Sequence, residues 1–127
     1  MSRQLSVVLI TKNAEALLEK CLQSCAFADE IVVVDSGSSD RTLAIASAYK
    51  AKVIHQEWLG FGPQKQFAVQ QASHDWVLCL DADEWLSEKL RNEIKILLNN
   101  PLLNAYRFAR SNKFMGRFLK FGEGYPD

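Results

Sequence analysis

The sequence predicts an α/β fold: a mostly parallel central sheet covered by helices on both faces, in three layers. Short β-branched runs alternate with helical patterns in units of about thirty residues, which is typical of right-handed strand–helix–strand crossovers. The strand runs are apolar without interruption, as expected of strands buried on both faces. The chain has 127 residues and no low-complexity linker, so we expect one compact domain with an irregular end.

Four strands are predicted, at residues 6–11, 31–35, 52–56 and 76–80. Each of them is followed by a loop of polar or small residues and then by a helical pattern. Because sequential strands in such units pair side by side, we expect all four in one sheet.

Capping residues and apolar spacing predict a helix after each of the first three strands. The first helix begins at Ala14, and its apolar stripe consists of Leu17, Leu18, Cys21, Leu22 and Cys25. The second spans 40–49 and can be capped by Asp40 or Ser39. The third has Pro63 near its start and continues to residue 72.

The clearest helix follows the fourth strand, where Ser87 can cap it and the Asn-Asn-Pro run at 99–101 ends it. Its apolar face consists of Leu86, Leu90, Ile94, Leu97 and Leu98. Beyond it, residues 105–110 alternate like a strand with one face in water.

Composition excludes several classes of protein. Fifteen basic residues balance 15 acidic ones, and a dedicated nucleic-acid binder would show a basic excess. Three cysteines without a Cys-x-x-Cys pair indicate neither a disulfide framework nor a zinc site, so a reducing, cytoplasmic setting is expected. The apolar run at 7–10 is far too short to span a membrane.

Polar residues collect where the predicted strands end, which is the edge at which parallel sheets bind ligands. The strongest signal is Asp81 and Asp83, two carboxylates at i and i+2 just past a buried strand, which can converge on one hard cation. Asp83 is the first choice as a ligand of Mg²⁺ or Mn²⁺. The structural alternative is a solvated acidic turn before a helix N-terminus.

Two more loops reach the same edge. In residues 35–40 Gly37 permits a tight turn, and Asp35 can accept hydrogen bonds from a base or ribose, whereas Asp40 is better explained as a helix cap. The glycine-rich loop at 60–62 precedes Lys65, which can reach a phosphate. For Lys65 alone, an ordinary surface lysine is the competing interpretation.

Together, the segments at 8–13 (VLITKN), 34–42 (VDSGSSDRT) and 80–83 (LDAD) resemble the family 2 glycosyltransferases, which have the GT-A or nucleotide-diphospho-sugar transferase fold. Within that family the chain is similar to lipopolysaccharide core enzymes that add glucose from UDP-glucose to a heptose. The shared segments are Gly-Phe-Gly at 60–62, Gln-Lys-Gln at 64–66 and Tyr-Pro-Asp at 125–127.

The resemblance implies a role for each matching residue. Thr11 and Asn13 would line the nucleotide pocket, and Asp35 would bond the uracil. Lys65 would lie near the base or phosphate and Asp81 on the ribose. By the same resemblance, Asp83 would hold the metal.

The resemblance also implies an inverting transfer to a lipopolysaccharide-core or other glycan acceptor, with a carboxylate as base. That base lies beyond the Asp-x-Asp motif in the family, and only Glu123 and Asp127 are candidates for it here. We therefore expect a nucleotide-sugar-binding domain at 1–104, the start of an acceptor-side region at 105–127, and a truncated chain that is inactive by itself.

Residues 114–121 interleave aromatic and basic side chains, as an element at a membrane surface would, or one that packs against a further C-terminal region. A lipid-linked acceptor would make contact with the inner face of the plasma membrane useful.

Three other functions compete with this interpretation. A signalling receiver needs extra acids after the first strand, and a dinucleotide-binding oxidoreductase needs a Gly-x-Gly-x-x-Gly there, yet residues 11–13 are Thr-Lys-Asn. A non-catalytic nucleotide-sugar-binding module fits the sequence as well as an enzyme fragment does.

Overall fold

The computed structural model describes residues 4–99 and the backbone of residues 118–120. The strands are β1 (Leu5–Thr11), β2 (Glu30–Asp35), β3 (Lys52–His55), β4 (Trp76–Cys79) and β5 (Phe118–Lys120). The helices are α1 (Glu15–Ser24), α2 (Thr42–Ala48), α3 (Phe61–Gln70) and α4 (Glu88–Asn99). The strand predicted at 105–110 lies outside the described residues.

The strands form one sheet in the order β3-β2-β1-β4-β5. The first four are parallel, as predicted, and β5 runs antiparallel to β4 with Leu78 opposite Phe118. No pattern in the sequence predicted β5, because a three-residue edge strand is too short to show a period and is defined by its distant partner. The central position of β1 brings the ends of β2 and β4 to either side of its own.

The sheet is covered on both faces. On one face, Leu18 and Leu22 of α1 and Ile94 and Leu97 of α4 pack against the strands in the larger core cluster. On the other face, α3 packs against β1, β2 and β4 through Ala68. Burying one such leucine or isoleucine stabilises the fold by about 1.5–3 kcal/mol, so both faces hold the helices in place.

Two helices begin elsewhere than predicted. Helix α3 begins at Phe61, so Pro63 lies inside its first turn, where a missing backbone N–H costs no helical hydrogen bond. Helix α2 begins at Thr42, after Arg41. Asp40 nevertheless accepts a hydrogen bond from the Thr42 amide at 2.9 Å. It therefore pairs the first N–H group of α2, although it lies one residue before the N-cap position.

The predicted apolar faces are confirmed with one exception. The five positions predicted for the apolar face of α4 are buried, and one of them, Leu86, lies just before the helix begins. The Ser87 hydroxyl accepts a hydrogen bond from the Leu90 amide at 3.1 Å. In the first helix Leu17 was wrongly assigned to the core: its side chain is 41% exposed and faces a pocket near the N-terminus of α1. None of the described helices has the length and apolar character needed to cross a membrane.

Candidate functional site

The site lies at the carboxyl edge of the sheet, where β1, β2 and β4 end next to one another. Thr11 and Asp35 are register partners at the ends of β1 and β2. The Thr11 hydroxyl donates to Asp35 Oδ1 at 2.7 Å, and both residues are buried. The two loops that leave these strands therefore start from a fixed, hydrogen-bonded base.

The Asp35 carboxylate organises the loop after β2. Besides the Thr11 bond, Oδ1 accepts from the Ser38 hydroxyl, and Oδ2 accepts from the Gly37 and Ser38 amides at 2.8 Å each. Burial acts to raise the pKa of Asp35, but these hydrogen bonds from Ser38, Thr11 and Gly37 outweigh it and hold the pKa below its ordinary value. Asp35 is thus an anion supported by four donors within the chain.

Asn13 joins the loop after β1 to the loop after β2. Its backbone is left-handed, with φ of 52°, a conformation that asparagine tolerates better than most residues. Its side-chain oxygen accepts hydrogen bonds from the backbone amides of Ser39 at 2.7 Å and Asp40 at 3.3 Å. The backbone amide of Asn13 donates to the Ser38 hydroxyl. The two loops therefore form one surface.

Asp40 completes this connection between the two helix N-termini. One oxygen accepts from the Glu15 amide of α1 at 3.2 Å and the other from the Thr42 amide of α2. The Thr42 hydroxyl in turn accepts from the Ala14 amide at 2.8 Å. The structural role predicted for Asp40 agrees with these contacts.

The third part of the site comes from β4 and α3. Lys65 Nζ lies 3.7 Å from Asp81 Oδ1, and both side chains are partly exposed. The Asp81 amide donates to Glu84 Oε1 at 3.0 Å, and the Glu84 amide donates to the Asp81 carbonyl, which closes a tight turn. This turn sets the positions of Ala82 and Asp83.

A pocket of about 340 Å³ lies beside this turn. Asp83, Thr11 and Asn13 line it together with Lys12, and its remaining wall is formed by Ile10, Ala14, Ala16, Leu17 and Ala82. Three residues predicted separately from the sequence thus share one cavity, with the Asp81–Lys65 pair next to it. Asp35 is placed elsewhere, 2% exposed behind Thr11.

Sequence reasoning missed the pocket wall supplied by α1. Ala16 and Leu17 belong to the first turn of that helix, and their spacing fits a core face as well as a cavity wall. The signal available was position, since the first turn of a helix after a parallel strand faces the ligand edge. The candidate bases Glu123 and Asp127 lie outside the described residues.

The donor groups at this edge fit a metal that is shared with a ligand. Among residues 4–99 no three side chains of His, Cys, Asp or Glu are grouped to hold an ion by themselves. Mg²⁺ typically takes one or two carboxylates and fills its other positions with water and substrate phosphates. Asp81 and Asp83 provide such a partial set.

The structure gives no support for a cysteine nucleophile at the site. The three cysteines are buried and form no disulfide within the described residues. A hydrogen bond with Cys25, burial, and the negative charges of Asp81 and Asp83 all raise the pKa of Cys21 far above its ordinary value. The Cys21 thiol donates to the Asp81 carbonyl at 3.6 Å, so it supports the turn.

Comparison with known proteins agrees with this geometry. Residues 6–118 match the sequence profile of Glycosyl transferase family 2. An uncharacterized glycosyltransferase of Rickettsia bellii is 43% identical over 107 residues, which cover 84% of this chain and 36% of that protein. The lipopolysaccharide core biosynthesis glycosyltransferase LpsC of Rhizobium meliloti is 37% identical over 118 residues, covering 88% of this chain and 44% of the relative.

A solved structure extends the likeness to three dimensions. The glucosyl-3-phosphoglycerate synthase of Mycobacterium tuberculosis, crystallised with Mn²⁺, UDP and glucosyl-3-phosphoglycerate, superposes with a TM-score of 0.56 at 31% identity, over 63% of this chain and 33% of that one. The chain thus spans between about a third and 44% of the length of these relatives. Its mostly parallel sheet with helices on both faces is the GT-A architecture, and the chain belongs to glycosyltransferase family 2.

Proposed function

We propose that this chain binds a UDP-sugar donor together with a divalent cation at the carboxyl edge of its sheet. The observation that carries the proposal is the pocket in which Asp83 meets Thr11 and Asn13, next to Asp81 and Lys65. A nucleoside diphosphate needs hydrogen-bonding groups for its base and ribose and positive charge for its phosphates. This edge offers both kinds of group.

Within this proposal each residue has a separate task. Asp83 holds the metal and Asp81 lies on the ribose side, while Lys65 provides a cation for the diphosphate. The cation, either Mg²⁺ or Mn²⁺, would stabilise the charge that develops on the leaving diphosphate. Thr11 and Asn13 form the pocket wall against which the nucleoside rests.

Asp35 is proposed to act on the uracil, and its surroundings define how. Its oxygens already accept four hydrogen bonds, so a direct bond to the base requires one of these donors to give way. Its other contribution is to hold Ser38 and Gly37 in place. Either way, removing the carboxylate should alter the nucleotide pocket.

The donor sugar and the acceptor are inferred from relatives. The mycobacterial neighbour is described with UDP and with UDP-glucose, and LpsC is described as a lipopolysaccharide core glycosyltransferase. We infer that the whole protein transfers glucose to a lipopolysaccharide-core or other lipid-linked glycan, with inversion, at the cytoplasmic face of the plasma membrane. Residues 105–127 would begin the acceptor side, with Glu123 and Asp127 as candidate bases.

Thermal unfolding with UDP, GDP, ADP and UDP-glucose, each with Mn²⁺ or EDTA, tests the donor site. A ligand at a hundred times its dissociation constant stabilises the fold by about 2.7 kcal/mol. We expect UDP and UDP-glucose to stabilise the chain only with metal, and Asp83→Ala to abolish the shift. Asp75→Ala is the matched control, because Asp75 is an exposed aspartate at the opposite end of β4.

The result would contradict the proposal if no nucleotide shifted the unfolding temperature, or if Asp75→Ala removed the shift as completely as Asp83→Ala. A non-catalytic nucleotide-sugar-binding module predicts the same binding. Transfer assays on the whole protein separate the two, since only the enzyme releases UDP in the presence of acceptor.

A further inference from the structure

A second pocket, of about 410 Å³, lies between α1 and α4. Of the residues that the structure describes, none lines both this pocket and the pocket that contains Asp83. Three described cations line it: Lys20 from α1, and Arg91 and Lys95 one turn apart on α4. Its volume is within the range of small-molecule sites.

Within residues 4–99, the three cations share this pocket without an acidic partner. Among these residues no carboxylate lines the pocket, and none of the three side chains is ion-paired with one. Bringing like charges together is unfavourable, and a bound anion relieves that repulsion. This distinguishes the pocket from an ordinary helix surface, where lysines alternate with acids.

Aromatic rings and backbone contacts hold the cations in position. Lys20 Nζ lies 3.9 Å from the centre of the Trp85 ring, and Lys95 Nζ lies 5.3 Å from that of Phe27. Arg91 Nη1 donates to the Leu86 carbonyl at 2.8 Å. These contacts orient each cation but leave further N–H donors on all three.

We propose that this pocket binds a phosphate group, as a second anion site separate from the nucleotide pocket. A phosphate offers several acceptor oxygens, and fixed guanidinium and ammonium groups are its usual protein partners. Trp85, which lines this pocket, follows Asp83 by two residues. The pocket therefore adjoins, along the chain, the turn that carries the proposed metal ligand. The phosphate belongs either to a soluble phosphorylated compound or to a lipid headgroup, and the test has an arm for each.

The first arm is a fluorescence titration of this chain with inorganic pyrophosphate, at low ionic strength and in EDTA so that no metal-dependent site contributes. It uses a Trp58→Phe background, which leaves Trp85 as the exposed reporter because Trp76 is buried. We expect a saturable change that Arg91→Gln or Lys95→Gln weakens about tenfold, as the loss of one charge-assisted hydrogen bond predicts.

The matched control is Lys89→Gln, which removes the same charge from an exposed position of α4 that does not line the pocket. Its affinity should stay close to that of the parent chain. Lys95→Gln keeps the Arg91–Leu86 hydrogen bond, so it remains informative if Arg91→Gln unfolds. Asp83→Ala should leave this titration unchanged while removing the UDP response, which keeps the two proposals independent.

The second arm measures cosedimentation with vesicles of phosphatidylglycerol or of phosphatidylcholine. Binding to phosphatidylglycerol vesicles that is lost in Lys95→Gln, without a pyrophosphate response, assigns the phosphate to a lipid headgroup. A pyrophosphate response without vesicle binding assigns it to a soluble ligand. The proposal is overturned if neither probe binds, or if Lys89→Gln weakens binding as much as Lys95→Gln.

Discussion

At the scale of single residues, the polar groups at the sheet edge stabilise the fold through hydrogen bonds to one another. Asp35 is the centre of this arrangement, because four donors, one from the end of β1 and three from the loop after β2, point at one buried carboxylate. The place of Asp35 at the carboxyl edge of the sheet was predictable from the sequence. The groups that donate hydrogen bonds to it were not all predictable, since Thr11 and Asp35 become neighbours only through the register of β1 and β2.

Replacing this carboxylate by an amide should be costly. Asp35→Asn turns one acceptor into an NH₂ group that faces the donors of Ser38 and Gly37 or of Thr11. Leaving a buried donor unsatisfied costs about 1–3 kcal/mol, and the donors here range from the buried Thr11 hydroxyl to the exposed Gly37 amide, so we expect a loss of about 2 kcal/mol in urea unfolding. Exposed Asp75→Asn should change stability by less than about 0.5 kcal/mol. Equal losses in the two variants would contradict the role given to Asp35.

The low pKa of Asp35 also predicts a pH dependence. Its pKa is lower in the folded than in the unfolded chain, so its contribution to stability is complete above the ordinary value of about 3.9 and is lost as the pH falls further. Urea midpoints between pH 6 and pH 3 should therefore fall more steeply for the parent chain than for Asp35→Asn. Parallel curves would show that the carboxylate is not stabilised as described.

Asn13 allows backbone and side-chain effects to be separated. Asn13→Gly keeps a residue that tolerates a positive φ but removes the acceptor for the Ser39 and Asp40 amides, whereas Asn13→Ala loses both properties. We expect both variants to be destabilised, and alanine more than glycine by about 1 kcal/mol. Thermal or urea unfolding measures the difference, and a more stable alanine variant would contradict it.

At the scale of elements, helices and strands with a clear period were predictable, and those defined by distant partners were not. The order of four strands and four helices followed from alternation, and α4 from its apolar face and Ser87. Leu17 was misplaced because helical spacing does not say whether a face meets the core or a cavity. The short strand β5 exists only through pairing with β4.

Helix α3 depends on a buried polar side chain whose burial the sequence pattern did not predict. Gln64 is fully buried; its Oε1 accepts from the Leu59 amide at 2.9 Å, and its Nε2 donates to the Gln56 carbonyl at 3.1 Å. This amide fixes the loop that leads to Lys65. We expect Gln64→Leu to cost about 2 kcal/mol and to weaken UDP binding, because two backbone groups lose their partner.

The control for this prediction is Gln66→Leu, an exposed glutamine in the same helix. It should change both urea stability and nucleotide affinity little. Stability retained in Gln64→Leu would mean that the loop finds other hydrogen-bond partners.

At the scale of the whole domain, the sheet is most secure at its centre, which is also where the site is built. Strands β1 and β2 are almost entirely buried, whereas β3 lies at an edge with mostly exposed side chains. The parallel order could be predicted because uninterrupted apolar strands need cover on both faces. The meeting of the loop after β1, the first turn of α1 and the turn after β4 at one pocket depends on registers and helix positions that only the structure supplies.

This gradient predicts the pattern of amide hydrogen exchange. Amides of β1 and β2 should exchange through global unfolding, and those of β3 through smaller openings, and therefore faster. Exchange measured residue by residue checks this, and equal protection of β3 and β1 would contradict it. Ligand binding at the carboxyl edge should slow exchange most in the loops after β1, β2 and β4.

Lys65 and Asp81 form an ion pair beside the proposed donor site. In the proposed complex, a phosphate on Lys65 draws the lysine away from Asp81, and the Asp81 carboxylate then adds its negative charge beside the metal at Asp83. A metal at Asp83 in turn attracts the Asp81 carboxylate and leaves the lysine to the phosphate. If metal and nucleotide favour each other in this way, linkage requires that each raises the affinity of the other by the same factor.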